Sequence, residues 1–60
     1  MLEMLKNKVM IIRGIRKCTY RQALVIISEA ECCEFVEDYL ENMLDYHDRV
    51  KFANWLNFVE

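Results

Sequence analysis

From Ser28 to Asp48 the chain reads SEAECCEFVEDYLENMLDYHD, a stretch without glycine, proline, lysine or arginine. Stepping 100° per residue sorts it into two opposed faces. Glu31, Glu34, Asp38, Glu41, Asp45 and Asp48 fall within an arc of about 100° on that wheel. Cys33, Val36, Leu40, Met43 and Leu44 form the centre of the other side, with Phe35, Tyr39 and Tyr46 along its edge. The pattern predicts an amphipathic helix, and the remainder of the chain has to supply what covers its apolar side. That side spans about 180° on the same wheel, too broad for a single neighbouring helix.

Start and stop signals divide the chain into helices. Ser28 followed by Glu31, with Ile27 and Cys32 placed as a hydrophobic staple, predicts a helix beginning at Glu29 and running to about Tyr46. A bend is expected between Tyr46 and Asp48, with Asp48 a candidate cap for a last segment that buries Phe52, Trp55, Leu56 and Val59. Upstream, Leu2, Leu5, Val9 and Ile12 recur at helical spacing and predict a helix from Leu2 to Arg13, ended by Gly14 in the left-handed conformation. Gly14 to Cys18 then reads as a basic connector. Thr19 and Gln22 form a capping box that opens a further helix at Tyr20. The run Ala23 to Ile27 is apolar all round and rich in β-branched residues, so a strand competes there. Helix is favoured, because the sole pairing partner, Val9 to Ile12, lies across a ten-residue loop.

With no proline and only Gly14 as a glycine, a turn-rich β-fold is a poor fit. The expectation is a single all-α domain over residues 1–60, a small bundle of three to four short helices. A chain this short buries only about 60% of the surface it exposes when unfolded. Since 55% of its residues are hydrophobic, completion of the bundle by homodimerisation is expected, with Phe35, Tyr39, Tyr46, Phe52 and Trp55 as the self-association surface.

Chemistry is argued mostly by what the sequence lacks. Cys18, Cys32 and Cys33 are an odd count without C-x-x-C spacing, which suits small buried thiols in a reducing compartment better than disulfides. A zinc site from Cys18, Cys33 and His47 would lack the closely spaced ligand pairs such sites use, so no metal or cofactor is expected. His47, the one histidine, reads as a boundary residue at a helix end, favoured by the negative end of the dipole. No phosphate-cradling glycine loop and no nucleophile with a base and orienting group are present, so no catalytic residue is assigned. The first residues are interrupted by Glu3, Lys6 and Lys8, unlike a signal peptide, and no apolar run is long enough for a bilayer. A cytoplasmic, non-membrane protein is the resulting expectation.

Charge is distributed very unevenly. Residues 1–21 carry +5 and residues 22–60 carry −7, giving the net −2. From Gln22 to Asp48 no cation relieves the neighbouring carboxylates, and each like-charge pair at helical spacing costs about 0.2 to 0.5 kcal/mol. The sequence therefore suggests a non-enzymatic regulatory or adaptor protein that docks a basic partner protein through Glu34, Asp38, Glu41, Asp45 and Asp48. Small chains lacking disulfides and metal often work as inhibitors of larger machines, phage-type inhibitors among them. Two alternatives stand beside it. In one, Arg13, Arg16, Lys17 and Arg21 bind nucleic acid, either in a ribbon-helix-helix with Lys8 to Ile15 as the ribbon or in a helix-turn-helix. The helix-turn-helix version would place an acidic recognition helix against DNA. In the other, the chain is a self-associating structural subunit.

Overall fold

The computed structural model describes residues 1–60 as four helices: α1 (Leu2–Arg16), α2 (Tyr20–Ala30), α3 (Val36–Met43) and α4 (Tyr46–Val59). No strand is present, so the all-α expectation holds at its upper helix count. Ala23 to Ile27 lies within α2, and Lys8 to Ile15, the supposed DNA-reading ribbon, lies within α1.

Helices α1 and α2 pack as an antiparallel hairpin. At one end of the pair Arg16 shares a groove with Gln22, and toward the other Lys8 shares one with Glu31. Leu5 and Val9 of α1 meet Ala23, Leu24 and Ile27 of α2 in one core with Tyr39, Leu44, Phe52 and Leu56 from the second half of the chain. On the α4 side, Trp55 lies against Phe52 with ring centroids 5.5 Å apart and meets Tyr20 edge-on at 5.7 Å. Cations from α1 complete this group, Arg13 stacking 4.7 Å from the Tyr20 centroid and Lys6 lying 5.8 Å from the Trp55 ring.

The capping box is formed as the sequence predicts, with the Thr19 hydroxyl accepting from the Gln22 N–H and the Gln22 carboxamide accepting from the Thr19 N–H, both at 3.0 Å. A further free donor of that helix end is taken up from a distance. The Glu60 carboxylate accepts the Arg21 N–H at 2.9 Å, while the Arg21 guanidinium donates to Asn57 at 2.7 Å, tying the end of α4 to the start of α2.

Four boundaries differ from expectation. Gly14 does not stop α1; it sits in the helix, where a Cβ would meet nothing within 4 Å. The left-handed residue is Lys17, φ 54°, and the Arg13 carbonyl accepts from both Lys17 and Cys18. Extending the helix past Gly14 leaves Arg13 over Tyr20 and brings Cys18 against the core.

Ser28 caps nothing at a helix start. It is buried near the end of α2, its hydroxyl donating to the Val25 carbonyl at 2.8 Å. The chain then closes α2 with a Schellman turn in which Cys33 N–H reaches Ser28 O and Cys32 N–H reaches Glu29 O. Cys32 takes the left-handed position, φ 61°, that glycine normally fills. Cys33 is the half-buried residue that packs beneath such a turn. The continuous helix from Glu29 to Tyr46 is therefore divided.

The second division comes at Leu44 and Asp45, just before the expected bend. Asp45, rather than Asp48, is the N-cap, its carboxylate accepting the Asp48 N–H at 2.8 Å. Burying Leu44 in the core draws the chain out of α3, and Arg49 donates to the freed Leu44 carbonyl at 3.1 Å. As a result His47 stands exposed in the first turn of α4, at the positive end of the dipole rather than the negative one.

Candidate protein-interaction surfaces

With two breaks in the predicted helix, the six carboxylates of its acidic arc do not share one helix face. Glu31 follows the end of α2, Glu34 stands in the loop, and Asp38 and Glu41 project from the exposed side of α3. Asp45 is committed as the cap of α4, and Asp48, half-buried in its first turn, provides the N–H that Asp45 accepts. The structure thus keeps Asp38 and Glu41 together, with Glu37 beside them, and separates the others by role.

None of these acids meets a cation of its own chain. The one ion pair is Lys6 with Glu3, 3.6 Å apart within α1. Three arginines have other partners: Arg13 lies on Tyr20, Arg21 on Asn57, and Arg49 on the Leu44 carbonyl. Of the residues considered for nucleic acid, Arg13 and Arg21 have these intramolecular partners, whereas Arg16 and Lys17 are exposed at the connector.

The five aromatic residues expected to self-associate fall into two groups. Tyr39 and Phe52 are 2% and 0% exposed and belong to the core, with Trp55 half-buried against Phe52. Only Phe35 and Tyr46 are open to solvent, in the α2–α3 loop and at the first residue of α4. The sequence wheel placed Tyr39 at the edge of an apolar stripe, but α3 is so short that Tyr39 becomes its one buried side chain. Its hydroxyl has no hydrogen-bond partner, and burial, with Glu31 and Cys33 adding to it, holds its pKa above the usual tyrosine value.

Helix α1 also carries a second, exposed apolar face. Taking Leu5 as the centre of the buried side of α1, Met4, Ile11 and Ile15 lie together on one flank, away from the flank carrying Lys6 and Arg13. Ile11 and Ile15 are 59% and 71% exposed. Ile11 and Ile12 face Ile26 and Ile27 of α2 across a groove of about 300 Å³, with Lys8 and Glu31 at its rim. The recurrence of Met4, Ile11 and Ile15 at helical spacing was a legible signal, overshadowed by the stronger stripe of Leu2, Leu5, Val9 and Ile12.

No group of three or more metal-ligating side chains converges, and no helix is long and apolar enough to cross a membrane. Comparison with protein-family models, curated proteins and solved structures gives no match.

Proposed function

We propose that this chain is a non-catalytic regulatory or adaptor module that binds a basic surface of another protein through its acidic second half, centred on Asp38 and Glu41 of α3. The observation that carries this reading is that no carboxylate between Gln22 and Asp48 forms an ion pair within the chain, although the same chain holds eight lysines and arginines. Mutual repulsion on α3 is a standing cost that a cationic partner would relieve. Glu34, in the loop before α3, extends the surface. Asp45 and Asp48 contribute at its far edge, where Asp45 also caps α4.

Reversing the charge on α3 tests the reading directly. The Asp38→Lys and Glu41→Lys double variant changes two exposed side chains and leaves the core untouched. Capture from a lysate of the source cell, run at low and high salt with wild type and variant side by side, should retain a basic protein only with wild type and only at low salt. Equal capture by the variant, or retention on duplex DNA that weakens with Arg16→Ala, would overturn it in favour of another surface or of the nucleic-acid reading.

A further inference from the structure

The outer face of the α1–α2 hairpin, away from α4, presents apolar side chains that the fold leaves uncovered. Two grooves run end to end along it and share Ile26, the first reaching to Lys8 and Glu31, the second to Arg16, Cys18 and Gln22. Ile11 and Ile15 form the most open part of its α1 wall. Burial of apolar area is the main favourable term in association, and this face offers more of it than the polar exterior of α3.

Charge along the face identifies the occupant. The connector end carries Arg16 on the groove wall with Lys17 next to it, and there is no acid in the sequence between Gly14 and Ser28. The other end, where α2 finishes, carries Glu29, Glu31 and Glu34, with Lys8 as the cation on the groove wall. A face positive at one end and negative at the other is complementary to its own copy turned end for end. Placing two copies side by side in the same direction would bring like charges together. A two-fold axis near Ile26 fits because that residue joins the two grooves, and an isologous contact pairs each end with the opposite end of its partner.

We infer that two copies of this chain associate through the α1–α2 faces in antiparallel fashion, burying Ile11, Ile15 and Ile26 and setting Arg16 of each copy against Glu31 of the other. A standard interface of about 800 Å² per partner would take roughly a fifth of the 4305 Å² that the chain exposes. The contact leaves Asp38 and Glu41 free, so it stands or falls apart from the partner-binding reading.

Sedimentation equilibrium of the full chain should give twice the 7.3 kDa chain mass, and Ile11→Asp with Ile15→Asp should return it to one chain mass with helicity unchanged. The charge test does not depend on those substitutions. Arg16→Glu and Glu31→Arg should each weaken self-association about tenfold, since each reversal acts twice across a two-fold contact. Mixing the two single variants should restore the dimer as a heterodimer, in which both inter-chain pairs are again of opposite sign. A single chain mass at concentrations up to about 1 mM, a dimer insensitive to the isoleucine substitutions, or no recovery on mixing would overturn the proposal.

Discussion

The α1–α2 hairpin and α3 reach the same secondary structure by different routes. The hairpin pairs a helix of 15 residues with one of 11, and α2 opens on a complete capping box. Helix α3 has eight residues, no side-chain cap at its start, and an N-cap position filled by the exposed Phe35. An isolated helix of that length is unstable in water because nucleation is costly. Its order derives from contact, chiefly the burial of Tyr39. Of the hairpin's cations, Lys6 and Arg13 lie against aromatic rings and Arg21 donates to a neutral acceptor, while the carboxylates of α3 form no ion pair. Local signals suffice where the chain supplies both cap and packing surface, and tertiary contact takes over where it supplies neither.

If α3 depends on Tyr39, then Tyr39→Ala should be the most damaging of the substitutions considered, costing about 3 to 5 kcal/mol as for other large aromatic truncations. Equilibrium urea unfolding would measure this. A loss below about 1 kcal/mol would place α3 with the self-sufficient helices and break the contrast.

The turn between the two regions offers a gain instead. Cys32 occupies a left-handed conformation that costs a non-glycine residue about 1 to 2 kcal/mol, so Cys32→Gly should raise stability by about 1 kcal/mol. The converse change in the hairpin, Gly14→Ala, should add about 0.5 to 1 kcal/mol, because the site is helical and open. Thermal melts of the two variants, singly and combined, would check both, and destabilisation by the former would mean that the Schellman turn is not kept in solution.

Removing the hairpin's own start signal should cost about 1 kcal/mol in Thr19→Ala, the usual value for an N-cap hydroxyl. That loss is expected in amide exchange at the start of α2 and not in α3.

The smallest effect concerns the Tyr39 hydroxyl. Tyr39→Phe removes a buried hydroxyl that lacks a partner, so stability near neutral pH should be unchanged or raised by up to about 1 kcal/mol. The pH dependence has a definite sign. With its folded pKa above the unfolded value, the protonated phenol stabilises the fold fully below the ordinary tyrosine pKa, and that contribution fades as pH climbs toward the raised folded value. Wild type should therefore weaken in alkali more steeply than Tyr39→Phe, which urea midpoints across that range would show.

Several pieces of this arrangement were legible from residue order. Thr19 and Gln22 marked the start of α2, and the spacing of Leu2, Leu5, Val9 and Ile12 marked the buried side of α1. Ser28 and Glu31 gave an equally good start signal that the fold does not use, because a serine hydroxyl is satisfied within a helix as readily as before one. The bend before α4 was legible, but Asp48 was the expected cap, because Asp45 reads as one more member of the carboxylate arc until Leu44 is drawn into the core. The charge asymmetry between the two halves was evident from counting alone. Its consequence for a partner rests on which acids remain exposed, and that divides Asp38 and Glu41 from the cap residue Asp45 and the half-buried Asp48.

What the sequence by itself determined is the helical class, the two opposed charge regions and the start of α2, where Thr19 and Gln22 each close onto the other's backbone. Interactions of that range depend only on neighbours, so residue order is enough to specify them. The tertiary structure decided where the long amphipathic stretch breaks, that Tyr39 and Phe52 are core while Phe35 and Tyr46 face solvent, and that one side of the α1–α2 hairpin stays uncovered. Those outcomes depend on what else competes to cover each apolar face. Periodicity tells that a face needs covering, and only the packed chain tells which faces obtained a neighbour.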